Sequence, residues 1–146
     1  MPLTVVVVDD DADYRMIIRF LLNGTPDGIR LVGEAADGNE GLALVRREEP
    51  DVLVTDLVMP GLNGAQLARQ VREERPATKI ILMSSYTDDA YRMMASDSGA
   101  DVFIHKSVIN SSLVPAIRDL TGRSLSGGSE PRPGGAGASS SASSPN

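Results

Sequence analysis

Two short apolar runs limit what this chain can become. Leu3 to Val8 is apolar apart from Thr4, and Val52 to Thr55 is apolar and β-branched, with none of the in-and-out alternation of a strand that has one wet face. Both read as strands buried on two faces, which belong in the middle of a parallel sheet with helices above and below. Each runs straight into carboxylates: Asp9, Asp10 and Asp11 after the first, Asp56 after the second. Pro60, Gly61, Asn63 and Gly64 are turn formers, so Asp56 is expected at the carboxyl end of its strand, the edge where open α/β sheets hold ligands. Capping a turn is the plainer role for the same residue.

The other segments complete an alternation. Asp11 or Asp13 caps a predicted helix whose Met16, Ile17, Phe20 and Leu21 form a stripe expected to pack on the sheet. Ile29 to Ala35 alternates like a strand near an edge, and Asp37-Gly38-Asn39 opens a helix through Leu42 and Val45 that Pro50 closes. A third helix is expected from Gln66 to Arg75 with Leu67 and Val71 inward, then a buried strand from Lys79 to Met83 ending at Ser84-Ser85. The fourth helix, about Asp88 to Ser98, is diluted by Ser96, Asp97 and Ser98. Val102 to Ile104 leads as a fifth strand to His105 and Lys106. Ser111 or Ser112 caps a last helix with Pro115 in its first turn and Val114, Ile117 and Leu120 inward. Five strands and five helices predict a doubly wound, flavodoxin-like α/β fold with strand order 2-1-3-4-5, whose switch point between strands one and three gathers Asp9, Asp10 and Asp56, with Ser84 and Lys106 beyond.

Residues 1–121 are enough for one domain, and residues 122–146 change character. Gly, Ser, Ala and Pro make up roughly four-fifths of that stretch, with Leu125 its only large apolar residue, so it is expected to be a disordered tail or linker. A formal charge of -6, from 14 basic and 20 acidic residues, argues against a nucleic-acid or anionic membrane surface. Zero cysteines exclude disulfides and thiol catalysis, and one histidine makes a zinc site a poor fit. With no signal-peptide pattern at the start and no apolar stretch of membrane-crossing length, the chain reads as soluble and cytoplasmic.

Three carboxylates brought together repel one another unless a cation sits among them. Oxygen ligands without His or Cys select a hard ion, and Mg²⁺ fits best because it tolerates few carboxylates and keeps waters for a phosphate. With Mg²⁺ and Lys106 the three carboxylates are neutralised, so a phosphoryl group can approach. Ser84 and Lys106 suit phosphoryl oxygens, and Asp56 is the candidate nucleophile for an aspartyl phosphate.

From Leu3 to about Leu120 the chain resembles the receiver domain of bacterial two-component response regulators. The likeness rests on VVVVDDD with Asp9 and Asp10, DLVMPGLNG with Asp56, Ser84 after IILM, and Lys106 in GADVFIHKS. It implies that Asp9, Asp56 and the carbonyl of Val58 ligate Mg²⁺ directly, with Asp10 acting directly or through water. Asp56 would be the modified residue, Phe103 the aromatic switch that turns inward as Ser84 moves onto the phosphoryl group. It also implies a signalling domain that catalyses only its own phosphorylation and dephosphorylation. Its partners would be a sensor histidine kinase or phosphotransfer protein upstream and a downstream protein or a missing output domain; a phosphorylation-dependent homodimer is compatible with it. The strand order above is that of chemotaxis receivers, so it rests on the likeness as much as on the pattern.

Ser84 stands where Thr is commoner, Ser107 follows Lys106 where Pro is frequent, and Phe103 has no hydroxyl; none of these removes a reactive group. Val58 and Tyr86, two residues after Asp56 and Ser84, border the water path in the family and are neither acidic nor amide, which predicts slow hydrolysis of the phosphoryl group. The helix from Asp88 and the strand holding Phe103 are the expected moving surface, with Tyr91, Arg92, Met93 and Met94 as contacts, although core filling is the plainer role for the Met pair. His105 could tune Lys106, though a structural role is the plainer one. Two rivals remain: an aspartate-nucleophile phosphohydrolase of haloacid dehalogenase type using Asp9, and an unphosphorylated interaction module. A stand-alone receiver and one cut from a longer regulator with a helix-turn-helix output are equally compatible with the end of this sequence.

Overall fold

A computed structural model describes residues 2–25, 28–86 and 88–122. The predicted tail lies outside them except for Gly122, whose φ of 76° ends the last helix in the left-handed conformation. Five strands form one parallel sheet in the order β2-β1-β3-β4-β5. They are β1 Leu3–Val8, β2 Ile29–Ala35, β3 Val52–Asp56, β4 Lys79–Ser84 and β5 Val102–His105. Five helices alternate with them: α1 Ala12–Asn23, α2 Gly38–Glu48, α3 Gly64–Glu74, α4 Asp89–Asp97 and α5 Ile109–Thr121. A single 3-10 turn, Lys106–Val108, joins β5 to α5.

The two apolar runs split by parity between two cores. Val5, Val7, Val52 and Val54 face α1 and α5, meeting Ile18, Leu22, Leu113 and Ile117. Val6, Val8 and Leu53 face the opposite layer, with Leu67, Ala68 and Val71 of α3. Strands covered on both sides have no use for polar residues, so they read as unbroken apolar stretches. Register aligns their ends: Val8 pairs with Thr55, Asp56 with Met83, and Ser84 with His105. Asp9 therefore emerges level with Asp56, and Lys106 a step beyond Ser84.

Three expectations need correction. In α1 the stripe that packs is Ile18 and Leu22, with Tyr14 and Leu21 half-buried; Met16 is 53% exposed, Ile17 40% and Phe20 80%. Helix rotation follows the face that finds core partners distant in sequence, Ile18 and Leu22 packing with Leu113 and Ile117 and the sheet, while Arg15 and Arg19 on the flank pair with Glu34 of β2. Helix α3 starts at Gly64 rather than Gln66, because Asn63 and Gln66 form a reciprocal capping box. Helix α5 starts at Ile109 rather than after Ser111, because the 3-10 turn rolls directly into it. Pro115 thus falls in the second turn, where its missing N–H leaves the Ser111 carbonyl without a helical donor. Of the Met pair, Met94 packs against the core and Met93 is 64% exposed.

Candidate functional site

Asp9, Asp10 and Asp56 converge at the switch point, with one carboxylate oxygen from each lying within 4.8 Å of the others. Asp9 and Asp56 are buried, whereas Asp10 is exposed. One oxygen of Asp9 accepts the backbone N–H of Asp11 at 2.9 Å, and the other accepts the Lys106 ammonium at 2.8 Å. The same ammonium lies 3.3 Å from Asp56 Oδ2. Burial pushes the Asp56 carboxyl up to about 6; Lys106 opposes this, the Asp9 charge adds to it, and the Val58 N–H holds it down. For Lys106 burial works against the charge, yet the Asp9 hydrogen bond and the two carboxylate charges outweigh it and raise the ammonium's pKa above its ordinary value.

The backbone around Asp56 is packed to contact. Gly64 opens α3 where an added Cβ would overlap the Asp56 carbonyl oxygen, so only glycine lets that helix start so close to the strand tip. The cleft above is lined by Asp10, Asp56, Val58, Ser85, Tyr86 and Lys106. Ser84 is 1% exposed, and its hydroxyl accepts the Tyr86 backbone N–H at 2.9 Å, so it is turned into its own loop. Phe103 is half-buried and lines a separate groove of about 510 Å³ between α4 and β5, together with Tyr86, Arg92, Ala95, Ser96 and Val102. The residues singled out from the sequence are therefore brought together as three acids, a lysine and Val58, with Ser84 and Phe103 one layer away.

Tyr14 and Arg15 escaped the sequence reading. The Lys106 ammonium sits 4.1 Å over the Tyr14 ring, and the Tyr14 hydroxyl donates to the Lys106 carbonyl at 3.2 Å. Burial, then the Asp9 and Asp56 charges, push that phenol well above its ordinary range. Arg15 donates to the Asp9 carbonyl. The available signal was Tyr14 four residues before Ile18 and eight before Leu22, the stripe that actually faces the sheet.

An acid-lined cleft at the switch point of a doubly wound sheet defines a protein that works at its strand tips, with one lysine beside three carboxylates that could hold a metal ion. The model of the family described as response regulator receiver domain matches residues 5–118, and the chain belongs to that family, the receiver domains of two-component signalling systems. It is 35% identical over 114 residues to the transcriptional regulatory protein LiaR of Bacillus subtilis, covering 78% of this chain and 54% of that one. The response regulator protein VraR of Staphylococcus saprophyticus is 33% identical over 118 residues, covering 81% and 56%. The chain thus spans about half the length of these curated relatives. Among solved structures, the signal receiver domain of the response regulator NarL from Mycobacterium tuberculosis superposes with a TM-score of 0.77 at 34% identity, covering 84% of this chain and 98% of that one. A LuxR-family response regulator from Aurantimonas gives 0.76 at 32%, covering 84% and 88%. Receivers are signalling domains rather than classical enzymes, and the haloacid dehalogenase alternative finds no support. Among the described residues no helix is long and apolar enough to cross a membrane.

Proposed function

We propose that this receiver takes a phosphoryl group onto Asp56 from a histidine kinase or phosphotransfer protein and thereby changes the surface it offers a partner. The observation that carries this reading is Asp56 itself: a carboxylate only 7% exposed, at a strand tip, between Lys106 and a second buried acid. Asp56 is the nucleophile. One of its oxygens forms the new bond to phosphorus while the donor's phosphorus–nitrogen bond breaks, and the leaving imidazole keeps that electron pair and takes a proton. Lys106 contributes a fixed positive charge to the incoming phosphoryl oxygens, and the Val58 N–H steadies the attacking carboxylate. The donor set suits Mg²⁺, since Asp9, Asp10 and Asp56 offer oxygens only, and the Val58 carbonyl is the fourth ligand we assign. When bound, Mg²⁺ supplies charge neutralisation for the phosphoryl oxygens.

Ser84 is the hydroxyl that follows the phosphoryl group, and Phe103, already lining the α4–β5 groove, is the ring that responds. Helix α4 is lightly held: Ala95 is its one buried residue, and Asp88 caps it without a side-chain hydrogen bond. That makes the α4–β5 face the partner surface in this reading. Acetyl phosphate with Mg²⁺ tests the assignment. Label is expected at Asp56 and is expected to vanish in Asp56→Asn; label at Asp9, or undiminished uptake by the Asn variant, rejects it.

Val58 and Tyr86 border the cleft, the latter 49% exposed with its ring stacked on Tyr91 at 4.7 Å. Neither aligns a water for attack on phosphorus, so the phosphorylated form is expected to be long-lived. Val58→Asn and Tyr86→Ala are each expected to speed loss of the group by roughly ten-fold, the scale on which positioning one water acts. Decay unchanged or slower in both variants contradicts this.

A further inference from the structure

His105 ends β5 immediately before Lys106 and is the chain's single histidine. Its ring is held from two sides. Nδ1 accepts the Ser107 backbone N–H at 3.1 Å and lies 2.7 Å from the Ser107 hydroxyl, while Nε2 lies 3.1 Å from the carbonyl oxygen of Ser85. These partners fix where the ring carries hydrogen. A backbone N–H only donates and a carbonyl only accepts, so Nδ1 is bare and Nε2–H is the donor to Ser85. Ser107 is essential to this arrangement, because a proline there would have no N–H to give. One arm is local and shapes the turn that carries Lys106. The other crosses from β5 to the residue directly after Ser84.

We propose that His105 is a positioning residue of the switch: a clasp that ties the loop after β4 to the turn after β5 and holds the receiver in the arrangement described above. The proposal rests on reading Asp56 as the phospho-acceptor and Ser84 as the hydroxyl that follows. Ser84 is buried, gives its oxygen to the Tyr86 N–H, and is absent from the cleft lining. To reach a phosphoryl oxygen on Asp56 the Ser84 hydroxyl must give up the Tyr86 N–H that now holds the turn, and in this proposal the segment from Ser84 to Tyr86 then shifts and carries the Ser85 carbonyl with it. The Nε2 arm opposes that movement. The opposite end of the ring is anchored in the 3-10 turn, which is in turn anchored through Lys106 to Asp9 and Asp56. A single partly solvated hydrogen bond biases such an equilibrium without locking it, so the clasp sets how much phosphoryl binding must supply before the loop moves.

Two substitutions cut the arms separately. His105→Asn keeps a side-chain acceptor for the N–H two residues on, as asparagine does in turns, but falls short of Ser85. His105→Gln keeps an N–H that reaches toward Ser85 and loses the turn acceptor. With no phosphoryl mimic present, His105→Asn is expected to speed amide exchange from Ser84 to Tyr86, and with Mg²⁺ to bind beryllofluoride on the order of three- to ten-fold more tightly. His105→Gln is expected to stay near the parent in both. In the parent, nitrogen NMR of the lone imidazole is expected to show one bare and one protonated ring nitrogen, with the Nε2 signal moving when beryllofluoride binds. Unchanged exchange in His105→Asn overturns the clasp; faster exchange with unchanged or weaker beryllofluoride affinity reduces it to a structural contact. Equal effects in both variants overturn it too, by assigning the effect to the turn. A parent that binds no beryllofluoride defeats the phospho-acceptor reading and the clasp's part in switching together, and the parent's own failure to bind marks that case apart.

Discussion

In a metal-free buffer near neutral pH, Asp56→Asn is expected to be more stable than the parent by about 2 to 3 kcal/mol, although it removes the group the site is built around. Burial is the main cause: it pushes the Asp56 carboxyl from its ordinary 3.8 up to about 6 in the folded protein. A raised carboxyl means that the folded chain holds this proton more tightly than the unfolded chain does. Stability from that source is present below pH 4 and is lost as pH rises through about 6, because above it the folded state carries a buried charge that the unfolded state exposes to water. Asparagine carries no charge at any pH, its side-chain oxygen still accepts the Val58 N–H, and Lys106 keeps Asp9 at 2.8 Å. The gain should therefore shrink toward zero as the pH is lowered to about 4. Denaturant unfolding at several pH values in the presence of a chelator measures it. A variant no more stable than the parent near pH 7, or a gap that widens on acidification, contradicts the burial argument.

Magnesium should narrow the same gap, since an ion that binds the folded parent and not the unfolded chain stabilises it by mass action and neutralises the charge that burial penalises. The parent is thus expected to gain more from Mg²⁺ than the Asn variant, which offers one fewer ionised ligand.

How much of this was legible in the sequence depended on whether the determinant was local. Val5 to Val8 and Val52 to Val54 announce strands covered on two faces because every position meets core, and the acids directly after them must then lie at strand tips. What the sequence concealed was set by partners far along the chain. The rotation of α1 follows from Ile18 and Leu22 packing against α5 and the sheet, so Met16, Ile17 and Phe20 point outward although their spacing suits a buried stripe. Tyr14 has no part in the predicted stripe, whereas its ring supports the Lys106 ammonium ninety-two positions away. The direction of the Ser84 hydroxyl is decided by the Tyr86 N–H, a loop detail that no periodicity encodes. The acid cluster shows the reverse: like charges gathered in a buried site violate the local rules for a stable fold, and such violations gather where a protein works.

Lys106→Met carries the other large effect, and it separates the role of the lysine from that of the proposed Mg²⁺. Asp9 is fully buried, with one carboxylate oxygen on the Lys106 ammonium at 2.8 Å, and Asp56 shares that ammonium at 3.3 Å. Methionine keeps most of the stem that packs against Tyr14 and removes the charge. Stripping one partner from a buried ion pair leaves the other uncompensated, which costs about 3 to 5 kcal/mol; the Asp56 carboxyl, already pushed up by burial, can take a proton and soften this, so about 2 to 4 kcal/mol is expected in a metal-free buffer near neutral pH. Millimolar Mg²⁺ should restore much of the loss, because the three carboxylates left behind attract a divalent ion more strongly once the competing ammonium is gone. Metal affinity should accordingly rise in Lys106→Met even as metal-free stability falls. A variant that loses stability and gains no affinity for Mg²⁺ would mean that the lysine and the ion do not share one set of oxygens, and the charge balance behind the proposed phosphoryl transfer to Asp56 would have to be redrawn.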